Sequence, residues 1–324
     1  MPIIVYGKSQ KYGVPVNNKN WETSKIENQL TIACISVIGG AALQHCVRSI
    51  AATGLPCVIV ADPGTITPEI KDIIRNNSVE FIDGGGCSVP VKRALAVKHC
   101  ASEWIALVED TCTLDDTWRF GCETVMAMED ASGASGPINL GHPLDRRARA
   151  LYCSDYGPFF PATLRAGQKG ENTSLSSAGT LPGVNLLYRC ETIMGYMDDE
   201  GLIESEANRR MQEDGHTLYI HEGLAVTLRY ADAAGASCSS RFNHGRLYGG
   251  LQSRNLSFTA RLGRVLACLL LPVILSLRSL RALAGTREHV ASTAGWILVF
   301  ETVWSCGECT GYLLGCGNSL ADWK

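Results

Sequence analysis

The stretch Trp104-Ile105-Ala106-Leu107-Val108-Glu109-Asp110-Thr111-Cys112 decides the fold. Apolar residues run without alternation into two adjacent carboxylates. Such a run reads as a strand buried on both faces, as in a parallel sheet. Ligands of open α/β sheets collect at the carboxyl ends of the strands, and Glu109 and Asp110 fall there. A carboxylate pair at that edge suits a hard divalent cation that also grips a diphosphate. The plainer alternative is that the two acids begin a polar loop and cap the next helix.

Upstream the pattern repeats. Residues 31–38 (Thr-Ile-Ala-Cys-Ile-Ser-Val-Ile) read as a first strand, turned by Gly39-Gly40. Leu43, Cys46, Val47 and Ile50 then recur at helical spacing, and Gly54 ends the helix. Residues 57–61 form a second strand closed by Asp62-Pro63-Gly64, 66–77 a helix, 79–82 a third strand and 89–100 a helix. This alternation predicts a βαβ series with right-handed crossovers and a parallel sheet. No G-x-G-x-x-G follows the first strand and no G-x-x-x-x-G-K-[ST] occurs anywhere. The usual dinucleotide and phosphate-loop fingerprints are therefore missing. Gly84-Gly85-Gly86 reads as a flexible connection.

Downstream, 114–128 reads as a helix. Residues 129–182 are rich in Gly, Pro, Ser and Ala with little periodicity. They predict a short strand near 133–138 and then mobile substrate loops. Strands are expected at 183–189, 218–220 and 224–228, and a charged helix at 204–214.

The chain has 324 residues, 46% hydrophobic and 19% charged, with a formal net charge of -3. That balance gives no global pull towards nucleic acid. The charge is uneven, however: eight arginines lie between Arg241 and His289, with Glu288 the single acid. Residues 265–277 are thirteen uncharged, mostly apolar positions broken by Pro272. A spanning helix needs about 20 such residues. Residues 296–304 are apolar apart from Glu301. Both runs could be core helices. The arginine flanks, Pro272, Trp296 and Trp304 favour helices lying in an anionic membrane interface.

Fourteen cysteines are scattered from Cys34 to Cys316, most of them inside apolar runs where a thiol packs as a small hydrophobe. The N-terminal residues lack a basic start and a long apolar core, so the expectation is reduced thiols in the cytosol, on the cytoplasmic side of a membrane. Cys306-Gly307-Glu308-Cys309 has metal or redox spacing, but no second pair completes a zinc site.

These residues, taken in order, resemble family 2 of the inverting glycosyltransferases. The match runs through Val91-Lys92-Arg93-Ala94-Leu95-Ala96, then Glu109-Asp110-Thr111-Cys112, then Trp118. It continues in Leu181-Pro182-Gly183-Val184-Asn185-Leu186-Leu187-Tyr188-Arg189 and in Glu204-Ser205-Glu206-Ala207-Asn208-Arg209-Arg210-Met211, followed by Gly215-His216. The resemblance covers roughly residues 30–320 and rests on the order of loose motifs.

It implies a GT-A (Rossmann-like) α/β fold for nucleotide-diphospho-sugar transfer. The implied division is an N-terminal arm (1–29), a GT-A catalytic domain (30–235) and a basic, apolar helical region (236–324) that associates with a membrane. The implied activity moves a sugar, with inversion, from a nucleotide-sugar donor to a hydroxyl of a glycan, lipid-linked or other acceptor. Asp62, Arg93, Glu109 and Asp110 would lie at the donor. Asp110, with Glu109, would hold Mg²⁺ or Mn²⁺. Asn185 and Trp118 would lie on the acceptor side. Glu204 would be the catalytic base, with Glu206 the alternate. Each has a plainer reading: Asp62 as a turn residue before Pro-Gly, Arg93 as a solvated helix residue, Glu204 as a favourable charge at a helix start. Thr111 stands where the fuller motif carries another acid, which weakens the cation expectation. Nucleotidyl transfer on a similar sheet, and a non-catalytic sugar- or partner-binding protein, are the rival readings.

Overall fold

A computed structural model describes residues 26–77, 79–141, 144–167, 175–229, 234–254, 256–284 and 290–323. Most of the expected N-terminal arm lies outside these residues. After a single helical turn (Ile26–Gln29) come β1 (Leu30–Ile35), α1 (Gly40–Ala51), β2 (Cys57–Ala61), α2 (Pro68–Asn76), β3 (Glu80–Asp83), α3 (Val89–His99) and β4 (Trp104–Glu109). There follow β5 (Cys112–Leu114), α4 (Trp118–Met126), β6 (Ala131–Ser135) and α5 (Arg146–Tyr156). Next come β7 (Leu175–Ser177), β8 (Asn185–Arg189), α6 (Glu204–Glu213), β9 (Thr217–His221) and β10 (Val226–Leu228). The helices α7 (Ala234–Ser253), α8 (Phe258–Ala267), α9 (Leu271–Ala284) and α10 (Val290–Leu314) close the order. Two compact units result: Pro2–Pro137 with Gly167–Leu228, and Ile138–Ala166 with Arg229–Lys324.

The first unit is mixed α/β, built on an eight-stranded sheet of order β3-β2-β1-β4-β8-β6-β9-β7. Strands β1 to β4 are parallel, as the βαβ alternation requires. Every residue of β2 and β4 is buried, which their unalternating apolar runs dictate. Beyond β4 the pairing is mixed: β9 is parallel to β6. β8 enters antiparallel between β4 and β6, and the edge strand β7 is antiparallel to β9. Local chemistry sets the helix starts. Thr67 caps α2 by accepting from the Ile70 amide, with Pro68 in its first turn.

Other boundaries differ from the sequence expectation. β1 ends at Ile35 rather than residue 38: the Ser36 amide still bonds to the Val60 carbonyl, but the amides of Val37, Ile38 and Gly39 bind the Asp110 side chain. The helix expected from residue 114 begins at Trp118. Residues Cys112–Leu114 instead pair antiparallel with β10. The supposed loops of 129–182 contain α5, a second helix (Pro161–Gly167) and β7. Asp145 starts α5 by accepting from the Ala148 amide at 2.7 Å. Residues Ile138–Ala166 belong with the C-terminal helices, a departure from a single boundary near residue 235.

In the second unit α10 packs against α5, α7, α8 and α9. The crossing of α7 and α10 is set by glycine. A Cβ on Gly245 or Gly249 would collide with the carbonyl of Trp304 or Glu308, and one on Gly307 or Gly311 with that of Phe242 or Arg246. Backbone therefore lies on backbone, and no larger residue leaves room for it. The spacing of Cys306 and Cys309 frames one of these glycines. Between them Glu308 accepts from Trp304 Nε1 at 2.9 Å and from the Tyr312 hydroxyl at 3.1 Å. Arg241 turns inward, ion-paired with Asp155 and, at 2.9 Å, with buried Glu301. Its guanidinium stacks 4.5 Å above the Trp304 ring. Overpacking a well-filled contact costs about 1–3 kcal/mol. Gly307→Ala is expected to lose that much in urea unfolding of the full chain, and an unchanged midpoint would mean that the helices slide apart freely.

Candidate active site

The site forms where β1 and β4 end and β8, antiparallel to β4, begins. Ile35 pairs with Glu109, so Asp110 falls opposite the segment leaving β1. Asp110 is fully buried. Its Oδ1 accepts from the Val37 amide at 2.9 Å and the Ile38 amide at 3.1 Å. Its Oδ2 accepts from the Gly39 amide at 2.7 Å and the Ser36 hydroxyl at 3.0 Å. Gly39 reaches this position at φ +78°, and a Cβ there would stand 2.7 Å from Cβ of Thr65. Only glycine holds that backbone without strain. Burial raises the Asp110 pKa, and the amides of Gly39, Ile38 and Val37 and the Ser36 hydroxyl hold it back only in part.

Arg93, one turn inside α3, is buried between two carboxylates. Its Nη2 donates to Glu109 Oε1 at 2.7 Å and to the Gly183 carbonyl at 3.2 Å, and its Nη1 donates to Glu204. Three chain segments converge to make this possible. The Glu109 amide bonds to the Val184 carbonyl at 3.0 Å, bringing 183–184 beside the end of β4. The Leu202 amide bonds to the Pro90 carbonyl at 2.9 Å, docking the start of α6 on the first turn of α3. Glu204 then reaches Arg93. Burial lowers the Arg93 pKa, but Glu204 and Glu109 more than reverse it, so the guanidinium stays charged. For Glu109, burial raises the pKa more than Arg93 lowers it.

The other expected residues separate. Glu206 turns to Arg209, at 2.5 Å, and not to Arg93. Trp118 and Asn185 meet: Trp118 Nε1 donates to Asn185 Oδ1 at 3.1 Å, and Asn185 Nδ2 donates to the Leu224 carbonyl at 2.7 Å. Both side chains are buried, so this pair ties α4 to β8 and offers little to an acceptor. Asp62 sits in an exposed turn of its own, accepting from the Gly64 amide at 2.8 Å. The turn reading given by Pro63-Gly64 matches this geometry.

Sequence reasoning missed Lys92. It is buried, and its Nζ donates to the Ser36 carbonyl at 2.7 Å, a second grip on the loop that Asp110 holds. It missed Tyr188 and Asn208 too, joined at 2.6 Å behind Glu204. The adjacency of Lys92 to Arg93 was the one available signal.

The residues expected to hold a cation do not fit one in this arrangement. Both oxygens of Asp110 are taken by donors, and Glu109 faces a guanidinium. Among the described residues no three His, Cys, Asp or Glu side chains cluster as metal ligands. Thr111, in place of an acid, keeps its hydroxyl buried.

No family model matches the chain, and no curated protein matches it. Among solved structures it is similar to a crystal structure of GalNAc-T7 with UDP, GalNAc and Mn²⁺, at a TM-score of 0.44 and 11% identity over 63% of this chain. The chain spans 44% of the length of that one. It is similar also to S. aureus TarS 1-349, at a TM-score of 0.45 and 11% identity, covering 83% of this chain and 90% of that one.

Two outcomes follow from the geometry. Asp110→Asn turns an amide group towards donors that need an acceptor, and a buried donor left unsatisfied costs about 1–3 kcal/mol. Chemical denaturation should show that loss without any added ligand. Mn²⁺ alone, without nucleotide, should leave the thermal midpoint unmoved, since an ion stabilises only a fold that binds it. A clear rise would locate a cation site among these carboxylates.

Proposed function

We propose that the chain is an inverting glycosyltransferase with Glu204 as its base. The observation that carries this reading is the meeting of Glu204 with Arg93 and Glu109. Residues far apart in sequence converge at the carboxyl ends of the central strands, where α/β sheets bind ligands. Sugar transfer by single displacement needs one proton acceptor beside the acceptor hydroxyl. Glu204 takes that proton, the hydroxyl oxygen bonds to the anomeric carbon, and the bond from that carbon to the diphosphate breaks. The nucleoside diphosphate leaves with the electron pair, and the configuration inverts. Arg93 holds the Glu204 carboxylate in place. The donor is a nucleotide sugar, and the acceptor is a glycan, lipid-linked or other hydroxyl.

One feature favours a second reading, in which the fold binds a sugar or partner without catalysis. Asp110 is committed to its loop and Thr111 replaces an acid, so the carboxylates at this sheet edge are not arranged to hold a cation against the leaving diphosphate. Incubation with a panel of nucleotide sugars and hydroxyl acceptors separates the readings. Release of nucleoside diphosphate supports transfer, release of pyrophosphate supports nucleotidyl transfer, and no turnover supports binding alone. Glu204→Gln preserves shape and removes the proton acceptor, so kcat should fall by roughly 10² to 10⁴, with donor affinity retained. Glu206→Gln should stay near wild type. A dead Glu206→Gln beside an active Glu204→Gln would move the base to Glu206.

A further inference from the structure

Within the C-terminal unit, α8 buries none of its ten residues. Phe258, Leu262, Leu266, Leu270 and Ile274 recur at every fourth position and are all exposed, from 49% at Leu262 to 80% at Phe258. Leu269, beside them, is 77% exposed. Residues four apart share a helix face. Exposed apolar residues continue through the break between α8 and α9 (Leu269, Leu270) and onto α9 (Val273, Ile274, Leu277), where the two axes bend by 58°. α9 is anchored by its opposite face, on which Leu275, Ser276, Ser279, Ala282 and Leu283 are buried. A continuous apolar stripe of this kind marks an interaction surface.

The charges select the partner. From residue 234 to 284 the sequence holds seven arginines and no acid. Two of them are inward: Arg241 pairs with Asp155 and Glu301, and burial lowers the Arg278 pKa beside the same groups. Arg264 and Arg281 remain exposed on the pair, and Arg254 is exposed just before it. In a two-fold dimer through this face the same patch would meet itself, and its cations would have no acid to pair with. An anionic lipid surface supplies both the apolar layer and the negative charge. Among the described residues no single helix is long and apolar enough to cross a membrane, and α8 and α9 reach that length and apolarity only together, across the 58° bend.

We propose that the bent α8–α9 pair docks the protein on an anionic membrane. Its stripe from Phe258 to Ile274 enters the boundary between head groups and acyl chains, and Arg254, Arg264 and Arg281 meet lipid phosphates. The test is flotation of the full chain with phosphatidylcholine vesicles, with and without phosphatidylglycerol, alongside light scattering in solution. Wild type should float with the anionic vesicles, more weakly as salt rises. Leu266→Asp with Leu270→Asp should abolish flotation while the thermal midpoint stays put, since both positions are exposed. Arg264→Gln and Arg281→Gln should each weaken binding about fivefold. Failure of wild type to float at low salt overturns the proposal. So does a wild-type dimer that the two aspartates convert to monomer while flotation persists, which would give the face to a second copy.

Discussion

A single buried carboxylate organises the sheet edge on which the candidate site is built. Asp110 follows β4 directly, and its two oxygens collect three amides and a hydroxyl from the segment that leaves β1. Those amides would otherwise be buried without partners, a penalty comparable to the hydrogen bonds themselves. Lys92 completes the arrangement from below by donating to the Ser36 carbonyl. The loop is thus fixed by charge and hydrogen bonding, with Gly39 supplying a backbone conformation closed to other residues. Once it is fixed, α1 starts where it does and the ends of β1 and β4 stay level.

Arg93 performs the equivalent task on the other side of β4. Its two carboxylate partners come from the strand end and from the start of α6, and a carbonyl from the turn before β8 completes the contact. Isolated, each of these buried charges would be costly; together they satisfy one another. The cluster leaves Glu204 at its rim, with side-chain exposure of 16% against 1% for Arg93. Position distinguishes Glu204 from Glu206, which faces Arg209 instead of the cluster.

The local grammar of the chain made β1, β2 and β4 and the helices between them legible, because buried parallel strands are continuous apolar runs and helices repeat every third or fourth residue. The insertion of β8 as an antiparallel neighbour of β4 was not legible, since pairing direction leaves no mark on a fully buried strand. Asp110 shows the same limit at the site. Its placement at a sheet edge could be read from Trp104 to Asp110, but whether its oxygens face a cation or a loop depends on residues 36–39, whose amides carry no side-chain signature. α5 was hidden for another reason. Ala148, Ala150 and Cys153 are small, and the flanking Gly and Pro residues drown the periodicity of an eleven-residue helix. The glycines of α7 and α10, by contrast, repeat at intervals of four in plain view.

The pairing of Ile138–Ala166 with Arg229–Lys324 has a consequence for how the protein is made. α5 leaves the ribosome well before α10, the helix it packs against. At ordinary elongation speeds the wait is on the order of ten seconds. Through that interval Ala148, Ala150, Tyr152 and Cys153 have no core to enter, and Asp155 has no Arg241. The sheet waits as well, because β8 is translated after this insertion and β4 lacks one neighbour until then. Neither unit can mature in the order of synthesis, so the nascent chain must be kept from aggregating until most of its length has emerged.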